Sequence, residues 1–130
     1  MDPDLNVAKI LELVKEKKLV SDDSPAVDII DLDYFLARIT QLRQAFREPF
    51  FHNCFAIKAN CLRGVLKAVL NTGFMGAECA SIGETLLANE VGFSPDQIVY
   101  NGPVKSEVHE KLPTITNLQD ENDVLYHVAL

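Results

Sequence analysis

Between residues 50 and 105, short apolar runs alternate with stretches whose apolar residues recur at helical spacing, and this alternation constrains the fold more than any other feature. Strand-like segments at 26–30, 50–58, 75–80 and 96–100 are separated by helix-like ones. Repetition of this kind is the signature of right-handed parallel units rather than of hairpins. The expected class is therefore α/β, with about four parallel strands and helices between them. Leu32, Phe35, Leu36, Ile39, Leu42 and Phe46 form the buried stripe expected of the first helix of this body, with Asp31 or Asp33 as its cap and Glu48-Pro49 as its break. Leu62, Val65, Leu66, Val69 and Leu70 make the next helix, and Gly73 falls where a left-handed helix end is wanted. Ser81 opens a third helix with Glu84 three residues on, a capping box that ends at Gly92.

The run Cys54-Phe55-Ala56-Ile57-Lys58-Ala59-Asn60 carries the chemistry. It reads as a central strand delivering a single amine to the rim of a sheet. Burial among Phe55, Ala56, Ile57 and Ala59 disfavours an ammonium, and the neutral amine is the form that attacks an aldehyde carbon. The competing reading is structural: a lysine at a strand end extends its tip into water.

Three blocks then point to one family. Phe55-Ala56-Ile57-Lys58-Ala59-Asn60 resembles the Tyr-Ala-Val-Lys-Ala-Asn motif of the pyridoxal-phosphate-dependent decarboxylases that act on ornithine, arginine and diaminopimelate. Ala77-Glu78-Cys79-Ala80-Ser81-Ile82-Gly83-Glu84 is similar to that family's next block, and Tyr100-Asn101-Gly102-Pro103-Val104-Lys105 to its third. Three blocks in order are specific where one alone is weak. The resemblance implies a (β/α)8 TIM-type barrel, present here as a partial barrel over about residues 25–105. It implies pyridoxal phosphate as cofactor, Lys58 as the Schiff-base lysine, and Glu78 and Glu84 near the same cofactor. Lys58, Glu78 and Asn101 all fall at carboxyl ends of expected strands, the face of such a barrel where chemistry sits. In one respect the chain departs from the pattern: the family has Asp where Glu78 stands, one methylene longer.

Around this body the sequence reads more plainly. Residues 1–20 form an amphipathic helix with Val7, Ile10, Leu11 and Val14 on one face, and Ser21-Asp22-Asp23-Ser24-Pro25 is a hinge. The expected organisation is an arm and hinge at 1–24, a partial barrel at 25–112 and a divergent tail at 113–130. Asp2, Asp4, Glu12 and Glu16 count against a transit peptide, and no stretch is apolar enough for a secretory signal or a membrane span. A net charge of -7 without Lys/Arg clusters argues against nucleic acid. Cys54, Cys61 and Cys79 lack zinc-type spacing, no metal site is expected, and free thiols point to a reducing, cytoplasmic setting.

Four strands stand where barrel closure takes eight, and the family's Gly-rich phosphate loop and second domain have no counterpart here. The sequence thus reads as a truncated decarboxylase, inactive alone, of an enzyme class whose intact members take a small-molecule amino acid as substrate. Two alternatives stand beside it: a non-catalytic interaction protein forming a homo- or hetero-dimer with a full-length relative, and a racemase or cofactor carrier of the same fold.

Overall fold

A computed structural model describes residues 7–103 and 115–118. The chain divides into two compact units, Met1–Ile39 and Thr40–Leu130, with the division falling inside a helix.

In the first unit, α1 (Val7–Glu16) buries none of its residues, its apolar stripe included. Lys18 ends it in the left-handed region at φ 50, and Leu19 N donates back to Val14 O at 3.0 Å. Residues 26–30 are not a strand, which corrects the expectation from their apolar run: among the described residues no neighbouring strand pairs with them, and Val27, Ile29 and Ile30 are exposed. Asp31 is the cap of α2 (Leu32–Ala45), its Oδ1 accepting from Tyr34 N at 2.9 Å. Of the stripe expected along α2, only Ile39 is buried.

The second unit holds the sheet. Its strands are β1 (Cys54–Ala56), β2 (Gly76–Cys79), β3 (Ile98–Tyr100) and β4 (Ile115–Thr116), all parallel and in the order β1-β2-β3-β4. Helix α3 (Arg63–Leu70) follows β1, and α4 (Ile82–Val91) follows β2. Strand, helix, strand in one direction is the parallel α/β architecture that the alternation called for, and it matches the partial (β/α) barrel that the resemblance implies. Among the described residues β1 is an edge strand rather than a central one, and it is far shorter than 50–58. Both limits have local causes. Phe51 N is bound to Glu48 O at 3.0 Å in a turn, and Asn60 N to Ile57 O at 3.0 Å in a 3-10 turn, so neither end is free to join the ladder. The fourth strand is β4 instead of 26–30; it lies in the stretch read as the tail and pairs with β3 through Tyr100↔Thr116.

Helix ends follow the sequence closely. Gly73 and Gly92 take φ 73 and 114, the left-handed values that glycine adopts without strain. Ser81 Oγ accepts from Glu84 N at 3.2 Å at the start of α4. Ile57, Leu66, Val69 and Ile98 are fully buried, each contributing about 1.5–3 kcal/mol of transfer free energy.

Register fixes which residues share a face. Phe55, Ala77 and Ile98 are rung partners, as are Cys79, Tyr100 and Thr116, and alternation along β2 and β3 puts both sets on one side. Helix α4 packs on β2 and β3, and its Thr85 is fully buried, which marks this as the covered side. Ala56, Glu78, Val99 and Ile115 share a rung on the other side, and they are half-buried or exposed. No described helix is long and apolar enough to cross a membrane.

Candidate functional site

The carboxyl rim of the sheet is built by three turns. The first is Ile57–Ala59, where a 3-10 turn replaces the strand's alternation: Ile57 is driven into the core and Lys58 outward. The expected burial of the Lys58 amine is therefore not found, because Ile57 occupies the interior position and Lys58 is exposed. The turn itself packs against β2. Among the described residues Lys58 joins no ion pair, so its amine is not tied to a carboxylate.

Glu78 stands on β2 between Ala56 of β1 and Val99 of β3. It is half-buried, and its Oε1 accepts from Asn101 Nδ2 at 3.1 Å. Asn101 is itself tied to β2, its N–H donating to Cys79 O at 2.8 Å. Lys58 and Asn101 each lie two residues beyond a rung partner of Glu78, one on each side of it.

Glu84 is placed differently. Its Oε2 accepts from Ala80 N at 2.8 Å while its own N–H goes to Ser81 Oγ, so it closes the turn from β2 into α4. The capping reading of Ser81 and Glu84 thus has its geometry, with Ala80 rather than Ser81 giving the reciprocal N–H.

Gly102 is a rim residue to which the sequence reading gave no role. A Cβ there would stand 2.5 Å from Ala80 O and 2.5 Å from Tyr100 Oη, so only glycine lets the chain leaving β3 lie on the turn that leaves β2. Its position between Asn101 and Pro103 was the available signal, but its close approach depends on a neighbour 22 residues away, Ala80, which sequence spacing does not reveal.

At the thiols nearby, burial disfavours the thiolate, the nucleophilic form. Burial, then the charge of Glu78, pushes Cys54 up to about 11. Cys79 is pushed up to about 12, again mainly by burial, with Thr85 opposing and Glu84 and Glu78 adding to the rise. Burial first, then Cys79 and Glu84, also raises Tyr100. Among the described residues no three His, Cys, Asp or Glu side chains gather as a metal site would require.

The rim thus carries an exposed amine that joins no ion pair among the described residues, with a carboxylate on the adjoining strand and the small residue Ala56 as that carboxylate's rung partner. The sequence profile of the pyridoxal-binding domain of pyridoxal-dependent decarboxylases matches residues 32–122. The chain belongs to that family. The match starts at α2 and runs past β4, further than the 25–105 span that the motifs suggested. The chain is similar to a diaminopimelate decarboxylase of Helicobacter pylori, 35% identical over 60% of this chain and 19% of the relative. With an ornithine decarboxylase of Mus pahari it is 28% identical over 92% of this chain and 25% of the relative. Antizyme inhibitor 2 of Xenopus laevis is 28% identical over 74% of this chain and 20% of its own length. The chain thus spans about a fifth to a quarter of the curated relatives it matches. Pyridoxal phosphate is the cofactor that this family membership brings.

Proposed function

We propose that this chain carries the cofactor-lysine part of a decarboxylase acting on diaminopimelate, ornithine or arginine. Lys58 is the residue that joins the cofactor's aldehyde. The single observation that carries this reading is the position of Lys58: an exposed amine, in no ion pair among the described residues, at the carboxyl rim two residues beyond Ala56, the rung partner of Glu78. Such an amine needs only to lose a proton to present its lone pair to a carbonyl carbon. Glu78 presents a carboxylate on the adjoining strand, and Ala56, its rung partner, leaves room for a flat ring. Glu84 acts one step back by closing the turn that follows Cys79, which keeps the rim in place. When bound, the cofactor supplies an electron-withdrawing ring that accepts the electron pair left as carbon dioxide departs.

On this reading the barrel portion begins near residue 25 behind a 1–24 arm. The pairing of β4 favours carrying it beyond residue 112, into what was read as the tail. The setting is cytoplasmic, and the assembly a dimer with a like or longer chain, which completes the site.

A second reading has its own support. One relative is named for inhibiting antizyme rather than for decarboxylation, and Glu78 stands where the family has Asp. A chain of that kind would keep the barrel surface to pair with a longer relative and would not turn over substrate.

The two readings separate on one experiment. The purified chain and Lys58→Ala are incubated with pyridoxal phosphate, reduced with borohydride and mapped by peptide mass. A pyridoxyl group concentrated on Lys58, together with an absorbance band absent from the variant, supports the cofactor role. Label spread evenly over exposed lysines rejects it and leaves the pairing role in front.

A further inference from the structure

We propose that Asn101 is a positioning residue which fixes the Glu78 carboxylate so that it faces the Lys58 turn; this rests on the cofactor assignment of Lys58 and Glu78 made above. Three observations carry it. Asn101 is anchored at both ends, its N–H on Cys79 O at 2.8 Å and its side-chain amide on Glu78 Oε1 at 3.1 Å. It extends the face of Val99, the rung partner of Glu78, by one step toward the rim, while the Lys58 turn extends Ala56 on the opposite flank. The donor is also neutral. An ionised carboxylate only accepts, so the amide nitrogen must face it, and this bond orients the charge without cancelling it as a lysine or arginine would.

The need for such a tether comes from the sequence. Glu78 has one more rotatable bond than the family's Asp, and a side chain with more freedom loses more entropy when held in one geometry. With Oε1 engaged by Asn101, the carboxylate is held on the strand against which the Lys58 turn packs. Asn101 thus restores by a hydrogen bond the orientation that a shorter side chain has by its length.

The test has a cofactor-free arm and a labelling arm, both on the full chain. Carboxyl carbons are titrated by NMR in the wild type, in Asn101→Asp, and in the exchange variant carrying Glu78→Gln with Asn101→Asp. Asn101→Asp sets two carboxylates at hydrogen-bond distance, so one proton should be retained at least about one pH unit above the remaining carboxyls. In the exchange variant donor and acceptor trade places, and the retained proton should disappear. In the labelling arm, Asn101→Ala should lower the share of borohydride-trapped pyridoxyl on Lys58 about threefold or more, and Asn101→Ser, which keeps a short donor, should recover part of it.

Independent carboxyl titrations in Asn101→Asp would overturn the proposal, as would unchanged Lys58 selectivity in Asn101→Ala. If the wild type takes no label at Lys58, the cofactor assignment fails and the positioning role with it. A retained proton would then still report the contact between positions 78 and 101, which separates the two failures.

Discussion

On the covered side of the sheet Ala77, Cys79, Ile98 and Tyr100 are buried, and α4 lies over them with its Thr85 fully buried. On the other side Ala56, Glu78 and Val99 share one rung, and all three are only half-buried. Adjacent residues of the same strand therefore answer to different demands: Ile98 to packing and Val99 to access. One side excludes water and holds the fold, whereas the other keeps a carboxylate within reach of solvent and beside the turn of Lys58. Cys79 on the covered side and half-buried Cys54 both lie near carboxylates. Burial favours their neutral form first, and the charges of Glu78 and Glu84 add to it.

The sharpest way to break this contrast is to truncate neighbours across it. Ile98→Ala should cost about 2–5 kcal/mol, because a fully buried side chain leaves a cavity. Val99→Ala, one residue on, should cost no more than about 1 kcal/mol. Urea unfolding of the two variants measures both, and equal losses would mean that the second side is packed as tightly as the first. Next in size is Gly102→Ala, where the added methyl meets Ala80 O and the Tyr100 ring. A loss of about 1–3 kcal/mol is expected, with weaker labelling of Lys58 if the rim shifts.

Where the sequence was legible and where it was not follows the range of the interaction involved. Gly73, Gly92, Ser81 and Asp31 act within a few residues of themselves, and their roles could be read directly from the chain. Residues 26–30 could not, because an apolar run becomes a strand only where a partner strand exists, and none is described beside it. Lys58 shows the same limit at the site. Its motif placed it at the rim, but its burial was decided by a 3-10 turn that hands the interior position to Ile57. The hydrogen bond from Asn101 to Glu78 spans 23 residues and joins two strand ends, so only the register brings it to view.

Smaller effects sharpen the picture at the turn from β2 into α4. Ser81→Ala should lose about 0.5–2 kcal/mol in thermal or urea unfolding by leaving Glu84 N without its acceptor. The thiols give the smallest effect and a distinct pH signature. With Cys54 raised from 9.0 to about 11, roughly one thiol in a thousand is ionised at pH 8, by the definition of a pKa. Exposed Cys61 should therefore be alkylated first, with Cys54 and Cys79 slower by more than about a hundredfold while the chain is folded. The sign for stability follows. The folded state keeps protons that the unfolded state has released, so the contribution is complete below pH 9.0 and is lost as pH climbs toward 11 and 12. Unfolding midpoints at pH 8 and pH 10 check this, and a higher midpoint at pH 10 would contradict it.

The central claim is that pyridoxal phosphate meets this chain at the carboxyl rim, on the open side of the sheet. Methyl NMR during titration with pyridoxal phosphate tests it most directly, because Ala56 and Val99 report one side while Ala77 and Ile98 report the other. The account predicts that the Ala56 and Val99 methyls shift together, that the Ala77 and Ile98 methyls stay in place, and that Lys58→Ala abolishes the response. Shifts confined to the covered side, or a response that survives Lys58→Ala unchanged, would contradict it.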